Sequence, residues 1–179
     1  MNVSVFCSAS DEIDEDFFKA AEALGKYLAG KGHTVVCGGS DAGLMERLAR
    51  TVRTAKGRVM GIVPSVLEDN GHVSDNIDIY MPCNDLSDRK EIMMMVSGAF
   101  IALPGGIGTL DEVLSVAASA AIGYHSKPLI LYNVKGVWNG LTAMLDELKE
   151  KGLVRGDWRR VLNVVDSIDG INGILDRYE

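Results

Sequence analysis

The sequence predicts a doubly wound α/β domain, a mostly parallel sheet with helices on both faces. Three observations carry this. Unbroken apolar runs such as Ala99-Phe100-Ile101-Ala102-Leu103 read as strands buried on both sides. Segments with apolar residues at helical spacing alternate with those runs from end to end. Two glycine-rich turns stand directly after a strand and directly before a helix. The chain has 179 residues, whereas a closed barrel of eight strand–helix units typically needs about 250, so the sheet is open. No linker, fixed-period repeat or low-complexity tract divides the chain, and residues 1–179 read as one domain.

The elements follow in order. Val3 to Cys7 is a first strand, closed by the small-residue turn Ser8-Ala9-Ser10. Phe17, Phe18, Ala21, Leu24, Tyr27 and Leu28 recur at helical spacing until Gly30-Lys31-Gly32 ends the helix. Thr34 to Cys37 is the second strand and runs into Gly38-Gly39-Ser40-Asp41-Ala42-Gly43. A helix from Leu44 to Lys56 stops at Gly57, and Arg58 to Val63 is a third strand closed by Pro64. Ser65 to Asn76 is polar and reads as a loop with one helical turn. Ile77 to Met81 is a short strand, and Leu86 to Ser97 a methionine-rich helix. After the strand at Ala99–Leu103, Pro104-Gly105-Gly106-Ile107-Gly108 leads into a helix from Thr109 to Ile122. Pro128 to Tyr132 is a further buried strand, Val137 to Lys151 a helix, Val161 to Val165 a last strand, and Ile168 to Tyr178 a closing helix.

Composition narrows the function. Hydrophobic residues make up 47% and charged residues 24%, the balance of an ordinary globular protein. Eighteen Lys+Arg against twenty-five Asp+Glu leave a net charge of −7, which argues against a nucleic-acid partner. No apolar run approaches the ~20 residues of a membrane span. The start of the chain has no basic stretch and turns acidic by Asp11, unlike a secretory leader. Cys7, Cys37 and Cys83 are scattered and odd in number, as in a reduced cytoplasmic protein. His33, His72 and His125 lie far apart with no partner at helical spacing, so no metal site can be built.

The two glycine turns fall where open α/β sheets bind ligands, at the carboxyl ends of the strands. Glycine lets the backbone approach an anion, and a helix N-terminus offers unpaired N–H groups with partial positive charge. The competing reading is geometric: glycines that only make tight turns. Gly38 to Gly43 has the spacing of a P-loop start, but Leu44-Met45 replaces the Lys-Ser/Thr that reaches phosphates and magnesium. Gly106-Ile107-Gly108-Thr109-Leu110-Asp111 lacks the third glycine of a dinucleotide fingerprint, and the next strand ends Leu131-Tyr132-Asn133 with no acidic residue for a ribose. A mononucleotide or sugar phosphate fits better than ATP or NAD.

Pro104-Gly105-Gly106-Ile107-Gly108-Thr109-Leu110-Asp111-Glu112 matches the pattern PGGxGTxxE. With it, the chain resembles the LOG-type nucleoside 5′-monophosphate phosphoribohydrolases, a family often labelled lysine decarboxylases. The similarity runs over nearly the whole chain. Phe6-Cys7-Ser8 resembles the opening strand, and Gly38-Gly39 with Gly43-Leu44-Met45 resembles the GGxxxGLM turn. Val59 to Pro64 is similar to the third strand, and Arg89-Lys90 with Met93 to the RKxxM helix. The resemblance implies a nucleotide-binding, Rossmann-like domain, usually dimeric, that splits a nucleoside monophosphate into base and ribose 5-phosphate without a cofactor. It further implies Arg89 and Glu112 as the catalytic pair. Ser8, Gly38, Gly39, Gly43, Met45 and Lys90 would line the substrate site, with the phosphate on Gly105, Gly106, Ile107, Gly108 and Thr109. Ser115, Ser119 and Ala121 stand where the family commonly has Glu, Trp and Gln, and Glu46 stands where it commonly has Gly. The base that the site accepts is left open by these departures.

Each candidate has a structural alternative. Thr109-x-x-Glu112 also spells a capping box, in which Glu112 would reach back to a cap N–H. Arg89 and Lys90 could pair along their own helix with Asp85, Asp88 or Glu91. Asp111 points about 100° away from Glu112 around the helix and reads as a charge complementing the dipole. Met93-Met94-Met95 reads as core or interface, and Cys7 and Cys37 as small buried hydrophobes. No GxSxG elbow supports a serine nucleophile, and nothing marks a Schiff-base lysine for decarboxylation. The competing functional class is a non-catalytic carrier of a phosphorylated ligand, a nucleotide or pterin-type cofactor, which could use the glycine turns without the Arg89/Glu112 chemistry.

Overall fold

The computed structural model describes residues 1–178. Its strands are β1 (Asn2–Phe6), β2 (Thr34–Cys37), β3 (Arg58–Pro64), β4 (Ile79–Cys83), β5 (Ala99–Ala102), β6 (Leu129–Tyr132) and β7 (Leu162–Val165). They form one seven-stranded sheet in the order β4-β3-β2-β1-β5-β6-β7. Every pairing is parallel. The chain winds outward from β1 to β4, then returns to place β5 on the other flank of β1. That reversal opens a crevice beyond the carboxyl ends of β1 and β5. Phe6 lies in register with Ala102, so Cys7-Ser8 and Leu103-Pro104 emerge side by side. The amide of Ser8 then donates to the Pro104 carbonyl at 3.1 Å.

The helices are α1 (Glu15–Gly30), α2 (Gly43–Thr54), α3 (Ser65–Asp69), α4 (Leu86–Val96), α5 (Ile107–Ala121), α6 (Asn139–Glu150) and α7 (Ile168–Leu175). Alternation along each strand sorts the core into two layers. Val3 and Val5 of β1, with Cys7 just beyond it, face Leu24 and Leu28 of α1, Leu48 and Val52 of α2, and Ile171 of α7. Phe6 faces the other way, toward Met93 of α4, Val113 and Val116 of α5, and Leu141 of α6. Fully burying each such side chain contributes about 1.5–3 kcal/mol. Within this core Ser4 and Ser97 satisfy each other through a buried hydrogen bond of 2.8 Å, whereas the Trp138 Nε1–H is buried with no partner among the described residues.

Nearly all predicted elements lie within two residues of where the sequence puts them, the closing helix ending three residues early at Leu175, and two of the shifts bear on the site. The fourth strand begins at Ile79, not Ile77. Ile77 instead lays its side chain against Gly61, in space that a larger residue on β3 would fill. Asp78 breaks the run because its carboxylate accepts from the Val59 amide at 2.8 Å and pairs with Arg53. The helix after the second glycine turn starts at Ile107, two residues before Thr109, with Gly106 as its N-cap. The segment before α6 begins with a 3₁₀ turn at Val134–Gly136, and a second such turn, Trp158–Arg160, precedes β7.

Candidate active site

Four chain segments meet at the crevice. The turn after β1 brings Cys7, Ser8 and Ala9, and α2 brings Met45. The first turns of α4 bring Leu86, Arg89 and Lys90. The start of α5 brings Gly106, Gly108, Thr109, Asp111 and Glu112. Together these line a cavity of about 340 Å³, within the range of small-molecule sites.

Asp85 caps α4 by accepting from the amides of Ser87 and Asp88, at 2.8 and 2.9 Å. Asp88 turns back to Asn84. Neither carboxylate takes the basic residues of its own helix. Arg89 and Lys90 reach across to α5 instead. The Nη2 of Arg89 donates to Glu112 at 2.6 Å, and Lys90 Nζ donates to both oxygens of Asp111 at 2.7 Å. Consecutive residues on one helix thus pair with consecutive residues on the other. Asp111 lies just past the first turn of α5 and serves as an ion-pair partner rather than as the first-turn charge the sequence suggests.

The two pairs differ in burial. The Arg89 and Glu112 side chains are 12% and 10% exposed, whereas Asp111 is 48% exposed. Burial pushes the Glu112 carboxyl above the ordinary carboxylate range, against the lowering pull of Arg89. Arg89 also keeps a buried Nε–H with no hydrogen-bond partner among the described residues. Leaving such a donor unpaired typically costs about 1–3 kcal/mol. Burial likewise raises the thiol of Cys7, and pushes that of Cys37 up to about 11. Both stay protonated near neutrality and are poor nucleophiles. Among the described residues, no group of His, Cys, Asp and Glu could hold a metal ion.

The capping-box reading is corrected. Thr109 is the third residue of α5 and cannot be its cap, and Glu112 is engaged by Arg89. No side chain caps α5, and its first turn carries no acidic residue. Gly106, Gly108 and Thr109 at this uncapped end line the crevice, and an uncapped helix start is where an anion can be held.

The other glycine turn behaves differently. The Gly43 amide donates to Asp11 Oδ1 at 3.0 Å, and the Leu44 amide to the Ser8 carbonyl at 2.9 Å. The leading end of α2 is therefore occupied by the chain itself. Gly43, at φ +59°, sits against the backbone of Ala9 and Ser10 where no β-carbon would fit. A β-carbon on Gly38 would overlap the guanidinium of Arg89. So the structure brings Ser8, Met45, Arg89, Lys90, Gly106, Gly108, Thr109 and Glu112 to the cavity wall. Gly38, Gly39, Gly43 and Gly105 lie outside the wall, in the turns that shape it. Ile107 is 88% exposed and is not part of the wall. The sequence places Cys7 at a strand end facing the site and offers Asp111 as the weaker carboxylate, and both prove to line the wall. Sequence reasoning does not reach Ala9 and Leu86; their places just after β1 and one turn before Arg89 are the features that could have found them.

Known proteins resemble the chain over most of its length. The family model described as "Possible lysine decarboxylase" matches residues 45–173. A probable cytokinin riboside 5′-monophosphate phosphoribohydrolase of Oryza sativa subsp. japonica is 34% identical over 174 residues, which is 97% of this chain and 82% of that one. A cytokinin riboside 5′-monophosphate phosphoribohydrolase of Arabidopsis thaliana is 36% identical over 159 residues, 89% of this chain and 70% of its own. Among solved structures, a molybdenum cofactor binding protein from Rippkaea orientalis superposes with TM-score 0.76 at 25% identity, covering 98% of this chain and 95% of its own. The molybdenum cofactor carrier protein of Chlamydomonas reinhardtii gives 0.75 at 21% identity, covering 99% and 96%, and shares the fold. The chain belongs to the family described as possible lysine decarboxylase, the LOG family.

Proposed function

We propose that the protein hydrolyses the N-glycosidic bond of a nucleoside 5′-monophosphate, giving the free base and ribose 5-phosphate. The reading rests on one observation above all. A buried Arg89–Glu112 pair forms the wall of a cavity whose adjoining wall is the uncapped start of α5. A 5′-phosphate on Gly106, Gly108 and Thr109 sets the ribose over the first turn of α5, within reach of Glu112. Breaking the glycosidic bond builds positive charge on the sugar, and an ionised carboxylate stabilises that charge and orients the attacking water. Water supplies the hydroxyl at the anomeric carbon, and its proton leaves with the base. Arg89 holds Glu112 and keeps a spare N–H for a substrate oxygen. Met45, Ala9 and Leu86 offer an apolar surface to the base.

The chemistry needs no metal or organic cofactor. We place the protein in the cytoplasm as one domain and a homodimer. Its three cysteines are buried and unpaired, as suits a reducing compartment. No helix of the described residues is long and apolar enough to cross a membrane. The relatives named as phosphoribohydrolases support this activity over amino-acid decarboxylation.

A second reading, a carrier of a phosphorylated ligand such as a pterin-type cofactor, is favoured by the likeness to the Rippkaea orientalis protein. One assay separates them. Incubating the purified protein with AMP should release adenine at many turnovers per chain, with a rate that a chelator leaves unchanged. Stoichiometric binding without release would identify a carrier.

A further inference from the structure

We propose that Glu46 is a positioning residue that holds the Gly38–Ser40 turn, and through it Arg89, in the working geometry. This rests on the reading of the cavity as a hydrolase site. Glu46 stands in the first turn of α2, beside cavity-lining Met45. Its Oε2 accepts from Ser74 Oγ at 2.5 Å and its Oε1 from Asn76 Nδ2 at 2.8 Å. Both donors belong to the irregular segment between α3 and β4.

That segment in turn grips the glycine turn. The Ser74 amide donates to the Gly39 carbonyl at 2.9 Å, and the Asp41 amide to the His72 carbonyl at 3.2 Å. Ser40 and Val73 form an isolated antiparallel bridge. From the opposite side, the Ser40 amide rests on Met45 Sδ at 3.2 Å. The turn is thereby clamped between α2 and residues 72–76, and Glu46 ties the two jaws together. Gly38, one residue before the clamped pair, lies directly against the Arg89 guanidinium. An arginine with so little room has its position set by the turn beneath it. Without Glu46, the Ser74 O–H and the Asn76 side-chain amide lose their acceptor at a partly buried joint, the Ser74 oxygen keeping only the Asn76 backbone amide at 3.0 Å, and the jaws are free to part.

The test compares Glu46→Ala with Glu46→Gln below the melting temperature of both. Glutamine keeps a hydrogen bond to each partner: its carbonyl accepts from Asn76, and its NH₂ donates to the Ser74 oxygen with the direction of that bond reversed. Deuterium exchange at the Ser40, Asp41 and Ser74 amides should rise about tenfold in Glu46→Ala and stay near wild type in Glu46→Gln. AMP hydrolysis should lose about tenfold in kcat with KM within about twofold in the alanine variant, and recover with glutamine. Unchanged exchange in Glu46→Ala, or a glutamine variant as impaired as alanine, overturns the proposal. A wild-type protein that releases no base overturns the hydrolase reading alone, and the exchange arm still decides whether the clamp exists.

Discussion

The guanidinium of Arg89 occupies the space that a β-carbon on Gly38 would take. The glycine at the end of β2 therefore makes room for a side chain from α4. Gly38→Ala should push Arg89 off Glu112 while leaving the fold in place, since what must move is the end of a flexible side chain. Misplacing such a group by an ångström can cost about 10²-fold. The expected result is a fall of at least about tenfold in kcat/KM for AMP, with little change in melting temperature. A fully active Gly38→Ala would show that Arg89 is not held by this contact.

The sheet was legible in the sequence because buried parallel strands write themselves as unbroken apolar runs, as Ala99–Leu103 does. The site was legible where one short motif contains several of its parts, as Gly106, Gly108, Thr109 and Glu112 do. Long-range pairing was not. Sequence offers Arg89 three carboxylates on its own helix or cap, and its partner lies 23 residues away on α5. Nor can two glycine turns of similar composition be told apart without knowing that Asp11 reaches the amide of Gly43. Likewise Glu46 is only a departure from a family pattern until Ser74 and Asn76 are seen against it.

A β-carbon on Gly106 would meet nothing within 4 Å. A larger side chain there enters the cavity at the start of α5 without disturbing the core. Gly106→Val should weaken AMP binding by roughly tenfold, about 1.4 kcal/mol, at nearly unchanged stability. Calorimetric titration with AMP checks it. Undiminished affinity would move the phosphate away from this turn.

The pH dependence of turnover should follow Glu112. Burial holds its carboxyl above the usual range, the charge of Asp111 raises it further, and Arg89 and Lys90 pull it down. The ionised form is the working one, so activity should rise as pH climbs through this raised value. Asp111→Asn removes a raising charge and releases Lys90 from its partner. Both effects favour the Glu112 carboxylate, so the acid limb of kcat/KM should move to lower pH. A limb that stays in place would assign it to another group.

Glu112→Gln tests the catalytic role, and the structure dictates how its result is read. Glutamine can still accept from Arg89, but it leaves a buried guanidinium without a countercharge. Turnover should fall by on the order of 10²-fold or more, with AMP affinity changed far less. Some stability should be lost as well, so the single variant does not separate chemistry from structure. The double variant Arg89→Met/Glu112→Leu does. Replacing a buried ion pair by apolar residues of similar volume is often neutral or stabilising by about 1–4 kcal/mol, whereas breaking it one-sidedly costs about 3–5 kcal/mol. The double variant should therefore melt near the wild type, above either single apolar substitution. If the pair serves only to join α4 to α5, hydrolysis should return along with that stability. If Glu112 stabilises the charge on the ribose, a protein as stable as the wild type should release no adenine from AMP.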